Sequence, residues 1–278
     1  MHWQTRRFRI DLSAPRVMGI VNVTPDSFSD GGRYADQGSA LAQCERLLAE
    51  GADILDIGGS SSRPGATQPD AAEELRRVLP VLREAVALGV PLSIDTCAPL
   101  VMQAALDVGV DIVNDIHALE APGAVDCLAR HPNAGVCLMH MRGEPDTMSR
   151  LVQYGDVVAE VRDYLGGRAQ ALIDAGIGRE RIAIDPGIGF AKTDAHNLAL
   201  LARQSELLAL GYPLLVGWSR KRTLGQITGR PVGERQAASV AAALAAVLRG
   251  AQVLRVHDVA ATVDALAVWR AAARGGPA

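Results

Sequence analysis

Polar and charged side chains collect at the ends of short apolar runs in this sequence. Asn22-Val23-Thr24-Pro25-Asp26-Ser27-Phe28-Ser29-Asp30-Gly31-Gly32 follows one run, and Gly58-Gly59-Ser60-Ser61-Ser62-Arg63-Pro64-Gly65 another. Further runs end at Asp95-Thr96, Asn114-Asp115, Asp185-Pro186-Gly187, Gly217-Trp218-Ser219-Arg220-Lys221-Arg222 and Arg255-Val256-His257-Asp258. The set divides by chemistry. A carboxylate accepts two parallel hydrogen bonds and an amide both gives and takes, so Asp and Asn together suit a planar heterocycle with several N–H donors and a carbonyl. Arg63, Arg255, His257 and glycine-rich backbone suit a phosphate group instead.

A pterin is a heterocycle of the first kind, so two half-sites are expected in one mouth. Lys221 stands out because the chain uses Arg almost throughout; Lys192 and Lys221 are its two lysines. A lysine kept in an Arg-biased sequence at a strand end points to a slender point-charge donor. Blander readings compete. Asp95 could cap a helix, and for Asp258, which precedes an apolar-periodic helix, the cap is the preferred reading. Gly58-Gly59 alone reads as a turn, and Arg33, Arg222 and His117 read as solvated or locally paired. Met139 reads equally as pocket wall or core filler.

These residues need a scaffold that brings strand ends together. Val17–Val21, Asp53–Ile57, Pro91–Ile94, Asp111–Val113, Gly135–Met139, Arg181–Ile184, Pro213–Val216 and Gln252–Val256 are short runs of strand character, each followed by helical periodicity. Examples are Gly38–Glu50, with Leu41, Cys44, Leu47 and Leu48 on one face, and about Asp70–Leu88. Eight β-α units without a break in composition predict an α/β fold, a single (β/α)8 TIM barrel, over the ordinary length of about 250 residues for that fold. One domain is expected across residues 1–278, with the barrel core at about 16–272. The active site of such a barrel lies at the C-terminal ends of its strands.

Composition narrows the ligand. With 49% hydrophobic and 4% aromatic residues, aliphatic side chains must fill the core. A net charge of -3 gives no basic field for nucleic acid or an anionic membrane. Met1–Ile10 carries Arg6, Arg7 and Arg9 but no apolar stretch of a secretory signal, and Ala237–Leu248 falls short of the roughly 20 residues of a membrane span. A cytoplasmic protein acting on small molecules is expected. Cys44, Cys97, Cys127 and Cys137 show neither a CxxC pair nor His at zinc-ligand spacing, so buried free thiols are expected in place of a metal or disulfide framework, and no function is assigned to them.

Together, Met18–Gly32, Ser62-Arg63-Pro64-Gly65, Asp185–Phe190, Ser219-Arg220-Lys221 and Arg255–Asp258 resemble the dihydropteroate synthase family, in its stand-alone bacterial form, over about Met18–Trp269. The resemblance implies a transferase of folate biosynthesis. Such an enzyme condenses 6-hydroxymethyl-7,8-dihydropterin pyrophosphate with p-aminobenzoate to 7,8-dihydropteroate and pyrophosphate, and is a sulfonamide target. By matching position, Asp95, Asn114, Asp185 and Lys221 would hold the pterin. Asn22, Ser62, Arg63, Arg255 and His257 would serve the pyrophosphate and Mg2+, with Asn22 as the oxygen ligand to the metal. Phe28, Pro64, Phe190, Ser219 and Arg220 would form the p-aminobenzoate pocket. Lys221, Arg255 and His257 would be catalytic, Lys221 by orienting the pterin and not as a covalent nucleophile. A homodimer through outer helices is implied too. The pattern departs at Ser60, where Glu is common, at Ala191, a frequent Gly, and at Trp218, usually smaller. A pterin-dependent methyltransferase would have no use for the pyrophosphate cluster; a catalytically silent pterin-binding paralogue is the reading from another class.

Overall fold

The computed structural model describes residues 1–24, 33–60 and 69–274, of which 33–36 and 274 by their backbone alone. An antiparallel hairpin, β1 (His2–Gln4) and β2 (Arg9–Asp11), comes first. Eight parallel strands follow: β3 (Arg16–Asn22), β4 (Ile54–Gly58), β5 (Leu92–Asp95), β6 (Ile112–Asp115), β7 (Gly135–Met139), β8 (Ile182–Asp185), β9 (Leu215–Val216) and β10 (Val253–Val256). Their order is β8-β7-β6-β5-β4-β3-β10-β9. A parallel bridge between Ile184 and Leu214 joins the two outer strands, so the sheet is a nearly closed barrel.

The helices are α1 (Arg33–Ala49), α2 (Ala71–Ala85), α3 (Pro99–Val108), α4 (Ala124–Arg130), α5 (Val157–Asp174), α6 (Asp194–Ala202), α7 (Ser205–Leu208), α8 (Arg222–Thr228), α9 (Gln236–Val247) and α10 (Val259–Arg274). Local chemistry sets their ends. The Asp70 carboxylate accepts from Glu73 N at 2.8 Å and starts α2, whose Val78, Val81, Leu82 and Ala85 face the barrel. Thr193 and His196 form a reciprocal cap at the start of α6. Among the described residues, no helix is long and apolar enough to cross a membrane.

The barrel interior is layered. Met18, Ile54, Ile112, Cys137, Ala183, Leu215 and Val253 form one apolar layer, closed from below by Trp3, Ile10 and Leu12 of the hairpin. Trp3 is fully buried, and its indole donates to Arg181 O at 2.9 Å. The hairpin escapes the sequence reading because two three-residue strands with one buried apolar residue each, Trp3 and Ile10, carry no usable periodicity. Side chains two residues apart on a strand share a face. Moving two residues up from the apolar layer therefore reaches Asp56, Asn114, Met139, Asp185 and Arg255, and Asp95 stands likewise above Ser93. The polar groups form the next layer, at the C-terminal mouth.

Candidate active site

Arg255 ties this layer together. Its Nε donates to Asp56 Oδ2 and its Nη2 to Asp95 Oδ2, both at 2.6 Å, while Asn114 Nδ2 donates to the same Asp56 oxygen at 3.1 Å. Asp56 is fully buried, and its other oxygen has no hydrogen-bond partner among the described residues. Four strands, β4, β5, β6 and β10, are thus clamped by one guanidinium and one carboxylate. The sequence reading missed Asp56 because it lies inside a run rather than after it. Its position two residues beyond Ile54 was the available signal.

Charges crowd here, and the protonation states follow from burial. Loss of solvent, opposed by Arg255 and assisted by Asp56 and Glu74, pushes the Asp95 carboxyl up to about 7. Burial also raises Asp185, although Gly187 N donates to its Oδ1 at 2.7 Å. Lys221, at the end of the β9 loop, is pushed down to about 8 by desolvation, with Asp185 pulling the other way. Its ammonium lies 4.2 Å from the centroid of Phe190, in cation–π contact. Burial alone would lower Arg255, but the charges of Asp56 and Asp95 and the hydrogen bond to Asp56 hold it above the ordinary range.

Backbone shape makes room for Lys221 within reach of the charge of Asp185. At Gly187, φ is +68°, and a Cβ would fall 2.0 Å from His140 O. At Gly189, φ is +84°, and a Cβ would crowd Lys221 Cδ at 3.1 Å. Asn197 accepts from Gly189 N at 2.9 Å and donates to Thr223 Oγ1 at 3.0 Å, tying this loop to α8. Lys192, the other lysine, is buried behind the loop. Its ammonium has three neighbours, His140 Nδ1 at 2.9 Å, Phe190 O at 2.9 Å and His140 O at 3.2 Å. Ala191 adopts φ of +50° at the position where the family often has Gly, which explains that preference. Trp218 is 2% exposed and packs in the main core.

The turn Ser219-Arg220-Lys221 is also strained and fixed. Arg220 has φ of +58°; its N donates to Ser239 Oγ at 2.9 Å, and Arg235 donates to its carbonyl at 3.2 Å. Ser219 Oγ accepts from His257 N at 3.1 Å and lies 3.0 Å from His257 Nδ1. Burial, then the fields of Arg255 and Arg220, depress the His257 imidazole to about 3, so it is neutral at physiological pH. With Ser219 donating to Nδ1, the ring proton resides on Nε2 as a neutral donor.

Several expected residues stand apart from this cluster. The Arg220 guanidinium is bound to the Asp258 carboxylate, at 2.6 and 3.2 Å, on the partly exposed rim. Asp258 directly precedes α10, as read from the sequence, but its carboxylate is engaged by Arg220. Asp95 caps no helix: α3 begins with Pro99, and Thr96 Oγ1 accepts from Ala98 N at 3.1 Å. Asn22 closes β3 at the rim of the mouth. Phe28, Ser62, Arg63 and Pro64 lie outside the described residues. Beside Asp95 a cavity of about 280 Å³ opens between Ser60, Glu74, Thr96, Cys97, His117 and Glu144. A larger open concavity, beside His2, Gln4, Arg9 and Glu180, is at the hairpin end of the barrel, away from these groups.

A family model described as pterin binding enzyme matches residues 18–257, which span the barrel from β3 to His257. The chain is 54% identical to the dihydropteroate synthase of Neisseria meningitidis serogroup B over 275 residues, 97% of this chain and 96% of that one. The chain belongs to the dihydropteroate synthase family. Solved structures agree. The Xanthomonas albilineans enzyme with 4-aminobenzoic acid superposes with a TM-score of 0.90 at 52% identity, covering 97% of this chain and 96% of that one. The Burkholderia cenocepacia enzyme complexed with 7,8-dihydropteroate gives 0.89 at 51% identity, covering 99% and 98%.

Proposed function

We infer that this chain is a transferase that joins the dihydropterin-methyl group of 6-hydroxymethyl-7,8-dihydropterin pyrophosphate to p-aminobenzoate, giving 7,8-dihydropteroate and pyrophosphate for folate biosynthesis. The observation that carries the reading is the polar layer itself: Asp56, Asp95, Asn114 and Asp185 with Lys221 and Arg255, in one barrel mouth, in a chain of this family.

The pterin's N–H donors and carbonyl fit Asp95, Asn114, Asp185 and Lys221, because carboxylates accept in pairs and the amide and ammonium donate. Asp56 and Arg255 hold these acceptors in place. In the reaction the bond from the exocyclic methylene carbon to the pyrophosphate oxygen breaks, its electron pair leaving with the oxygen. The arylamine nitrogen then bonds to that carbon and gives up a proton to solvent. An arylamine is neutral at pH 7, so attack requires no strong base. Lys221, protonated below about 8, orients the pterin and balances Asp185; it is not a nucleophile. Arg255 Nη1 carries none of the carboxylate contacts of Nε and Nη2, and with neutral His257 it can donate toward the leaving group. Closed loops would exclude water that competes with the arylamine.

Magnesium belongs to this proposal. Asn22 presents a hard amide oxygen at the strand end beside the first loop, the donor type Mg2+ accepts alongside waters and substrate phosphates. When bound, the ion would offset charge on the departing pyrophosphate. Ser62 and Arg63 would complete the phosphate side, and Phe28, Pro64, Phe190, Ser219 and Arg220 the p-aminobenzoate side, where a sulfonamide would compete. Homodimerisation is supported by exposed Leu248 and Val268, at 67% and 71%, at the end of α9 and on α10. The four unpaired cysteines suit a reducing cytoplasm.

The test is pterin binding by Asp185→Asn. Loss of a hydrogen bond to a charged group weakens binding by about 1.5–3 kcal/mol, roughly ten- to a hundredfold. The KM for p-aminobenzoate should stay nearly constant. An unchanged pterin affinity would remove Asp185 from the site.

A further inference from the structure

Cys97, Asp115 and His117 come from two different strand ends, and their Sγ, carboxylate and imidazole ligand atoms all lie within 4.8 Å of one another. Cys97 follows β5, Asp115 closes β6 and His117 follows it, which is why spacing along the sequence gave no metal signature. His117 Nε2 is buried and makes no hydrogen bond among the described residues. The Glu144 carboxylate, largely exposed, stands 3.5 Å from it across the wall of the 280 Å³ cavity. That cavity gives an ion an approach from solvent.

The donors are held in place. His117 N and Leu119 N both donate to the Asp115 carboxylate at 2.8 Å and fix its plane, and the Cys97 thiol also hydrogen-bonds to it, so a bound ion would take the place of the thiol proton, which leaves to solvent. Ala118 and Leu119 occupy left-handed backbone at φ of 51° and 58°, unusual for residues with a Cβ. Arg168 holds that turn through both carbonyls, Ala118 O at 2.9 Å and Leu119 O at 3.1 Å. The strain is therefore maintained by the surrounding structure, and what it presents to the cavity wall is His117.

We propose that Cys97, Asp115 and His117 form a binding site for a borderline-soft divalent cation of the Zn2+ class, with Glu144 or water as the fourth ligand. One sulfur, one nitrogen and one carboxylate oxygen is a mixed set that suits Zn2+ and disfavours Mg2+, which takes oxygen ligands. Tetrahedral coordination at Zn–S of about 2.3 Å and Zn–N or Zn–O of about 2.0 Å places ligand atoms about 3.5 Å apart. A pair at the 4.8 Å limit would close by about 1.3 Å to meet it. The site is separate from the magnesium proposed at Asn22, on β3.

The test is titration of the full-length, reduced protein with Zn2+ and with Co2+, in the presence of excess Mg2+. One saturable equivalent per chain is expected, with a near-ultraviolet thiolate-to-cobalt charge-transfer band. Cys97→Ser should abolish the band, and both it and His117→Ala should weaken Zn2+ binding on the order of a hundredfold. Cys44→Ser should change neither. Absence of a saturable equivalent, or a band that survives Cys97→Ser, overturns the proposal. Should Cys97→Ser fail to fold, His117→Ala decides alone: unchanged Zn2+ affinity in that variant is equally fatal.

Discussion

Replacing Arg255 with Gln should expose how much the barrel mouth depends on one cation. In the native protein that guanidinium faces a fully buried Asp56 and an Asp95 whose side chain is 17% exposed, each at 2.6 Å. A charge pair 4 Å apart in surroundings of effective dielectric about 20 attracts by about 4 kcal/mol, which desolvation offsets in large part. Removing one partner leaves the other charge buried without compensation, at a cost of about 3–5 kcal/mol. For a chain of this size that lowers Tm on the order of 10 °C. The pH dependence has a definite sign. A carboxyl whose folded pKa is raised above its unfolded value disfavours the native state progressively as pH rises from the unfolded pKa to the folded one. Asp95 already reaches about 7 with Arg255 present, and without it must go higher. The stability gap between Arg255→Gln and the native protein therefore widens as pH rises above about 7. Thermal and urea unfolding at pH 6 and pH 8, as a double-mutant cycle with Asp56→Asn, would measure it. The second substitution should recover part of the loss. A loss below about 1 kcal/mol, flat with pH and not relieved by Asp56→Asn, would refute the clamp.

Two other predictions concern Lys221 and assembly. Because Lys221 loses its proton at about 8, kcat/KM for the pterin substrate should fall above that pH, and Lys221→Arg, weaker throughout, should shift this limb upward; an unmoved limb assigns it to another group. Leu248→Asp combined with Val268→Asp should convert a dimer to a monomer in analytical ultracentrifugation with the fold intact, and a persistent dimer would place the interface elsewhere.

The barrel was legible because each strand is a short buried run followed by a helix with one apolar face, a signal repeated eight times. Most strand boundaries agree within a residue or two; β9 ends at Val216 as expected but begins at Leu215 instead of Pro213, because its ladder with β10 starts there and Leu214 makes only an isolated bridge. Asp95, Asn114, Asp185 and Arg255 were legible as polar residues closing or ending apolar runs, and they do converge. Asp56, Asn197 and Lys192 were not. Asp56 reads as one acid within an apolar strand, and only knowledge of which face is interior turns it inward. Asn197 lies in a helix and acts on a loop eight residues back, while the partners of Lys192 come from His140, just past β7, and from its own loop. Likewise, Cys97 and His117 looked ordinary apart and meet only across adjacent strand ends.

The central claim is tested most directly by incubating the purified chain with Mg2+ and 6-hydroxymethyl-7,8-dihydropterin pyrophosphate, with and without p-aminobenzoate, and following pyrophosphate and products by mass. 7,8-Dihydropteroate and pyrophosphate are expected in equal amounts, formed only when p-aminobenzoate is present. Tight pterin binding with no product dependent on p-aminobenzoate would contradict it and mark the chain as a pterin-binding protein without this activity.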